Sequence, residues 1–186
     1  MKILARLGLV LFMSLFAASH AAHAMSDQYE LLKAVETNDI AKLTELLNKG
    51  ASPNTRQRTG GQPAILIAAR KGNLVIMKML LDHQANPDMT DRGGSETALM
   101  VRAISGDAEG IKMLLDAGAD INRTDASLET ALTKAVRNRQ FRAAQILIAN
   151  KADPNVQDVT GKSALDYAKE RRNSRMIRLL EDAGAN

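Results

Sequence analysis

The tract PAILIAA at residues 63–69 decides the fold, because weaker copies of it recur at a fixed interval. The copies are Thr97-Ala98-Leu99, Thr130-Ala131-Leu132 and Ser163-Ala164-Leu165. Counted from Pro63, their first residues follow one another after 34, 33 and 33 positions. A period of roughly 20 to 50 residues is typical of repeat architectures. The sequence therefore predicts an array of similar units.

A second landmark recurs in step with the first. It is an alanine that usually follows glycine, and it occurs as Gly50-Ala51, Gln84-Ala85, Gly118-Ala119, Lys151-Ala152 and Gly184-Ala185. The last four alanines stand 22 residues after the starts at 63, 97, 130 and 163. Two landmarks in fixed register indicate that each unit has the same internal structure.

Together the landmarks resemble the ankyrin repeat, whose pattern opens with Thr-Pro-Leu-His-x-Ala-Ala and closes with Leu-Leu-x-x-Gly-Ala-x-x-Asn. The resemblance covers essentially all of residues 25–186. It implies an all-α ankyrin-repeat solenoid of five helix-turn-helix repeats joined by β-hairpin-like fingers. The expected repeats lie at approximately 27–56, 57–90, 91–123, 124–156 and 157–186.

The residues support this fold on physical grounds. Thr97, Thr130 and Ser163 are suited to cap the first helix of a repeat, and Pro63 is the rigid counterpart. Leucine pairs such as Leu114-Leu115 are expected to pack against small alanines, which let helices approach closely. A chain without Trp and with 3% aromatic residues is better suited to closely packed helices than to a β-sandwich.

The first 24 residues have the pattern of a secretory signal peptide. Lys2 and Arg6 precede an apolar run over 7–16, and Ala22-His23-Ala24 is a signal-peptidase site that would leave Met25 first. The run is shorter than the roughly 20 residues that span a bilayer. An uncleaved anchoring helix is the alternative. The chain resembles small periplasmic ankyrin proteins of bacteria, which implies export to the periplasm, with secretion as the alternative.

Polar residues mark both ends of the expected array. Lys42 and Glu45 take positions that Ile76 and Met79 fill in the next repeat, and Glu181 replaces the second residue of the last leucine pair. A stack of repeats needs polar outer surfaces at its ends. We therefore expect five repeats to be the complete array, a monomer with no stable membrane anchor.

The family resemblance implies that partners dock on the concave face, which fingertips and the ends of the first helices form. By position this face includes Glu36, Thr37, Ser105 and Glu170. The predicted partner-binding residues on it are Arg56, Arg58, Arg70, Lys71, Arg92, Ile104, Arg123, Arg137, Asn138 and Arg171. They predict a basic groove with acidic residues mixed in at its ends, suited to an acidic protein surface. The alternative is an ordinary solvated charged face.

Two charged residues depart from the family pattern. Arg102 and Lys134 stand where the second repeat places Ala68 and Ile67. Such side chains either snorkel, with the stem packed and the head in water, or line the groove. The two longer fingers, at Gly60-Gly61 and Gly93-Gly94, are expected to reflect drift in a surface loop, with a functional turn as the alternative.

Catalysis, cofactor binding and metal binding are not expected. The chain has no Cys, and His83 is the one histidine outside the first 24 residues, at a predicted helix end where the dipole favours it. Asp88, Asp91 and Asp125 are predicted to lie on water-exposed fingers, where nothing prepares a carboxylate for acid–base chemistry. The chain lacks the stacking aromatic residues that favour nucleic-acid binding.

The sequence thus predicts a non-enzymatic protein–protein interaction module. Two roles stay open: an accessory or protective factor for an envelope protein, which is the preferred interpretation, and a cognate inhibitor that neutralises a toxin or hydrolase. The second role requires tight binding to one target and loss of that target's activity.

Overall fold

A computed structural model describes residues 26–94 and 96–185. These residues form ten helices in five consecutive pairs: α1 (26–37), α2 (Ile40–Asn48), α3 (Ala64–Lys71), α4 (Leu74–Asp82), α5 (Ala98–Ser105), α6 (Ala108–Asp116), α7 (Ala131–Arg137), α8 (Phe141–Ala149), α9 (Ala164–Glu170) and α10 (Ser174–Asp182). The all-α solenoid prediction is confirmed. The predicted signal peptide and its cleavage site between Ala24 and Met25 lie outside the described residues.

Local capping explains where the helices start. Thr97, Thr130 and Ser163 each accept a hydrogen bond from the backbone N–H three residues ahead, at 3.2 to 3.3 Å. Asp166 returns a bond to the Ser163 backbone N–H and completes a capping box. Pro63 occupies the same place with extended backbone, as its fixed φ favours. The predicted helix starts are confirmed.

One continuous core runs through the five pairs. Leu80, Leu114, Leu147 and Leu180, one from each of the last four second helices, are fully buried. The alanines of the first helices are buried against them, because a methyl side chain lets the helix axes come close. α5 packs against α3 and α7, and α7 packs in turn against α9. Each repeat is therefore stabilised mainly by its neighbours.

The segments between pairs are here called finger 2 (51–63), finger 3 (85–97), finger 4 (119–130) and finger 5 (152–163). They are tight turns, with one isolated antiparallel bridge, Arg56 to Pro63, among the described residues. In fingers 3, 4 and 5 an aspartate carbonyl accepts from the N–H three residues on, in the pairs Asp91–Gly94 (3.1 Å), Asp125–Leu128 (3.0 Å) and Asp158–Gly161 (2.9 Å). The three turns are therefore structural equivalents.

A ladder of side-chain acceptors joins the bases of successive fingers. Asn54 accepts from the backbone N–H of Asn86 at 2.8 Å, and Asn122 accepts from that of Asp153 at 2.8 Å. Between them, Asp88 accepts from the N–H of Asp120 at 3.1 Å. These bonds fix the distance between neighbouring fingers.

The N-terminal pair has a polar outer surface. Lys42 and Glu45 form an ion pair of 3.0 Å on the outside of α2, where the next repeat has apolar side chains. Among the described residues, every helix is too short or too polar to cross a bilayer.

Candidate partner-binding face

Nine of the ten predicted partner-binding residues are exposed, and Ile104 is half-buried. They take this position because they either end a first helix or belong to a finger. Arg70 and Lys71 end α3, Ile104 lies near the end of α5, and Arg137 ends α7. We keep the name concave face for this set of residues.

Arg70 and Arg137 are held by carboxylates within the protein. The Arg70 guanidinium lies 3.8 Å from Asp91 and 3.7 Å from Glu96, both on finger 3. Arg137 donates to the buried Glu129 of finger 4, and this hydrogen bond raises the pKa of Arg137. Both arginines therefore fasten a finger to the end of a helix.

Lys134 lies between the carboxylates that hold Arg70 and Arg137. Its ammonium lies 2.8 Å from Asp125, 3.2 Å from Glu129 and 3.7 Å from Glu96. Burial acts to lower the pKa of Lys134, but the hydrogen bonds and charges of Asp125 and Glu129 outweigh it and raise the pKa. The snorkelling expectation is wrong for this residue, whose side chain is only 11% exposed. Its head points to the fingers, which carry enough carboxylates to hold it.

Arg70, Lys134 and Arg137 with Asp91, Glu96, Asp125 and Glu129 make one ion-pair network across fingers 3 and 4. It contains three cations and four carboxylates. The expected groove had acidic residues only at its ends, whereas the structure places them in the middle. Asp125, predicted to be exposed to water, has a side chain that is 7% exposed. With one more carboxylate than cations, the middle of the face is slightly acidic rather than basic.

Cations without an internal carboxylate partner surround this network. They are Arg58, Lys71, Arg92, Arg123 and Arg171, all exposed, and in residues 26–94 and 96–185 none forms an ion pair. Arg56 is engaged instead, since its guanidinium donates to the carbonyls of Gly61 and Thr90. Asn138 donates to the Lys134 carbonyl at 2.8 Å. Five of the ten predicted residues thus carry a positive charge with no carboxylate partner in the described part of the chain.

A second polar cluster, which the sequence analysis did not identify, extends the face toward the C-terminal end. Tyr167 donates to Asp158 on finger 5, and Arg137 lies 5.0 Å from the Tyr167 ring centroid. Burial acts to raise the pKa of Asp158, but hydrogen bonds from Thr160, Tyr167 and the Lys162 backbone hold it well below its ordinary value. The same bond to Asp158 raises the pKa of Tyr167. Only the nine-residue spacing of Asp158 and Tyr167 signalled this contact.

Arg102, the other departure from the family pattern, is a structural residue. It is 7% exposed, and its guanidinium lies 3.2 Å from Asp107, the residue that caps α6. The aliphatic part of the Arg102 side chain packs against Gly110, and a Cβ added at Gly110 would lie 2.8 Å from the Arg102 Cδ. The guanidinium of Arg102 neither extends into water nor lines the groove, because it pairs with Asp107 at the start of α6.

A cavity of about 550 Å³ lies at the N-terminal end of the face, between α1 and finger 2. Tyr29, Leu32 and Glu36 of α1 line one side, and Arg56 and Arg58 of finger 2 line the other. Tyr29 is 63% exposed, so an aromatic ring is available beside free positive charge. Sequence reasoning did not assign Tyr29 to the face, since its α1 position carries no repeat landmark.

His83 caps the end of α4, as predicted, and its Nδ1 lies 2.8 Å from the Met79 carbonyl. Within the described ranges, no group of His, Asp or Glu side chains is arranged to hold a metal ion. The exposed residues of the concave face present charged, amide and apolar groups.

Comparison with known families gives two overlapping matches. A profile for ankyrin repeats in three copies matches residues 31–125, and one for ankyrin repeats in many copies matches residues 114–168. A search of curated proteins gives no match. Ankyrin repeats are protein–protein interaction modules and typically non-enzymatic scaffolds. By fold and by these matches, the chain belongs to the ankyrin repeat family.

Proposed function

We propose that this protein binds an acidic surface of another protein through its concave face, as a monomeric accessory or protective factor in the bacterial periplasm. One observation carries the proposal: five exposed cations of the concave face form no ion pair among the described residues, while every carboxylate of the ion-pair network has an internal partner.

The network prepares the face for binding. Because it fastens fingers 3 and 4 to α3 and α7, little conformational freedom is left to lose when a partner docks. Lys71, Arg92 and Arg123 are exposed around it and meet the carboxylates of a partner directly. Arginine suits this role, since its planar fork binds a carboxylate with two parallel hydrogen bonds. Binding of this kind weakens as salt rises.

The location rests on the first 24 residues. Their basic start, short apolar run and Ala22-His23-Ala24 site have the features that export requires. Expression of the chain with its own N-terminal segment in a bacterial host tests this. We expect the periplasmic protein to begin at Met25 by intact mass and N-terminal sequencing. A full-length product retained in the membrane fraction contradicts the proposal.

The binding proposal is tested with the C-terminally tagged chain and a triple charge reversal, K71E/R92E/R123E. These residues have no internal ion pair among the described residues, so the reversal is expected to leave the melting temperature unchanged. The matched control K112E/R142E/R178E makes the same charge change on the exposed sides of α6, α8 and α10.

Both variants and the wild type are used to capture partners from a periplasmic extract at low and moderate salt. We expect one protein to be retained by the wild type and the control, lost with the triple reversal, and weakened by salt. Equal capture by all three forms contradicts a concave basic site.

A cognate inhibitor is the alternative, and the captured protein distinguishes the two roles. An accessory factor leaves the activity of its partner intact or raised, whereas an inhibitor binds tightly and abolishes it. The activity of the purified partner, with and without this chain, decides between them.

A further inference from the structure

Leu128 occupies a backbone position that equivalent fingers give to glycine. Its φ is 59°, in the left-handed region, and Gly94 and Gly161 take the same place with φ of 63° and 77°. The shared turn bonds to Asp91, Asp125 and Asp158 establish the equivalence. In this conformation the Cβ of leucine comes close to the following carbonyl oxygen, whereas glycine, which has no Cβ, adopts it freely. The choice of leucine here works against the stability of the turn.

Burial of the side chain does not offset the energetic cost of this conformation, since Leu128 is 48% exposed and is not part of the hydrophobic core. Other residues of the described chain share a positive φ without being glycine. They are Asn38, Gln84, Arg139, Lys151 and Arg172, all polar and all just beyond the end of a helix. Leu128 is therefore unusual in being apolar, exposed and at a fingertip. Residues held in unfavourable conformations occur preferentially at binding sites.

A second exposed apolar side chain lies beside it. Val159 of finger 5 is 64% exposed, and its backbone N–H donates to the carbonyl of Ser127 at 3.0 Å. This bond joins the tips of fingers 4 and 5, so Leu128 and Val159 form one fingertip patch. Other large exposed apolar side chains of the described residues, Tyr29, Ile40 and Val75, lie on helices instead.

The charges nearby indicate what covers the patch. Arg92 follows Asp91 on finger 3, in the position that Val159 holds after Asp158 on finger 5, and Arg123 belongs to the same finger as Leu128. Both arginines are exposed and have no internal ion pair in the described part of the chain. The stem of Arg92 lies over Gly61 of finger 2, whereas Arg123 is on the finger that carries Leu128. A partner that covers Leu128 therefore meets the positive charge of Arg123 on the same finger.

We infer that Leu128 and Val159 enter an apolar depression on the acidic protein that the concave face binds. The inference rests on the proposed function and deepens it. The free arginines attract and orient the partner, and the fingertip patch distinguishes it from other acidic proteins, since an apolar anchor contributes to affinity only where a pocket receives it.

A phage library of random peptides, selected on the tagged chain, is the probe. We expect the selected peptides to combine Asp or Glu with large apolar residues. A selected peptide is then titrated by fluorescence anisotropy against the wild type, L128G, V159T, the control V75T and K71E/R92E/R123E. Glycine fits the left-handed turn, so L128G keeps or raises the melting temperature. V75T makes the same methyl-to-hydroxyl change on α4, where Val75 is 55% exposed.

We expect about tenfold weaker binding with L128G, several-fold weaker binding with V159T and no change with V75T. Selection of purely acidic peptides, or no selection at all, overturns the inference. Unchanged affinity of L128G together with loss in the charge reversal overturns the fingertip inference alone. Full binding by the charge reversal contradicts the proposed function itself. A dimer in sedimentation velocity that L128G abolishes assigns the patch to a second copy, which also overturns the inference.

Discussion

Replacement of Lys134 by methionine tests the ion-pair network at its centre. The change keeps the length of the side chain and removes its charge, so Asp125 and Glu129 lose the ammonium at 2.8 and 3.2 Å. Both carboxylates are buried, with 7% and 6% of their side chains exposed. Removing one partner of a buried ion pair typically costs about 3 to 5 kcal/mol.

Other contacts reduce that cost. Arg137 still donates to Glu129, and Asp125 still accepts from two backbone N–H groups, those of Ser127 and Glu129, at 2.9 Å. We therefore expect K134M to lower the free energy of unfolding by about 3 kcal/mol, the lower end of that range. In a chain of this size such a loss lowers the melting temperature by about 6 to 12 °C.

The pH dependence of the stability difference between the wild type and K134M distinguishes loss of the Lys134 charge from loss of its packing. The raised pKa of Lys134 means that its contribution is complete below its ordinary pKa of 10.5 and is lost as pH rises through its folded value. It is thus complete at neutral pH in the wild type. K134M has no titratable group at this position, so its deficit against the wild type is present in full at pH 7 and shrinks as pH rises above 10.5.

Urea and thermal unfolding of the wild type, K134M and the control K78M provide the measurement. Lys78 pairs with Asp82 at 3.0 Å on the surface of α4, so K78M should change stability by less than about 0.5 kcal/mol. A loss below about 1 kcal/mol for K134M, or a deficit that does not depend on pH, would refute the role of the buried charge.

Three further predictions concern the core, a helix and a finger. Leu114 is fully buried, and L114A should lower the free energy of unfolding by about 2 to 5 kcal/mol in urea titrations; an unaltered midpoint refutes the assigned packing. Replacing glycine by alanine within a helix normally stabilises it. G110A should nevertheless lower the melting temperature, because the new Cβ would lie 2.8 Å from Arg102 and 2.6 Å from Asp107. A gain in stability would show that these two side chains move away freely. The pKa of Asp158 is lowered, so the stability that its carboxylate contributes is present above its ordinary pKa of 3.8 and is lost as pH falls further. D158N should therefore be less stable than the wild type at pH 7, and the difference should close below pH 3.8. Parallel curves of stability against pH would contradict this.

The fold could be predicted from the sequence because its signals are local and repeated. A capping Thr or Ser, the alanines and the leucine pairs recur at one period, and each takes the position that its chemistry favours. Gly118, for example, follows the end of α6 with a φ of 83°, as the pattern requires.

The binding face could be predicted only in part, since repeat register gives the position of a residue but not its partner. Lys134 departs from the repeat pattern, but the register does not show that Glu96 of finger 3 and Asp125 and Glu129 of finger 4 all lie close to it. Arg102 could not be assigned for the same reason: Asp107 is only five residues away, but its role as a helix cap decides where the guanidinium goes. Leu128 has no sequence signal except the absence of glycine.

The ladder of Asn54, Asp88 and Asn122 has a consequence for how this chain can change its length. Each side chain bonds to a backbone N–H 31 or 32 residues ahead, so the three junctions that join fingers 2, 3, 4 and 5 use the same connection. Removal of residues 91–123 would bring the N–H of Asp153 to the place that Asp120 now holds beside Asp88. Whole repeats are thus the unit in which such a protein can gain or lose binding surface by duplication and deletion, without new chemistry at the joins.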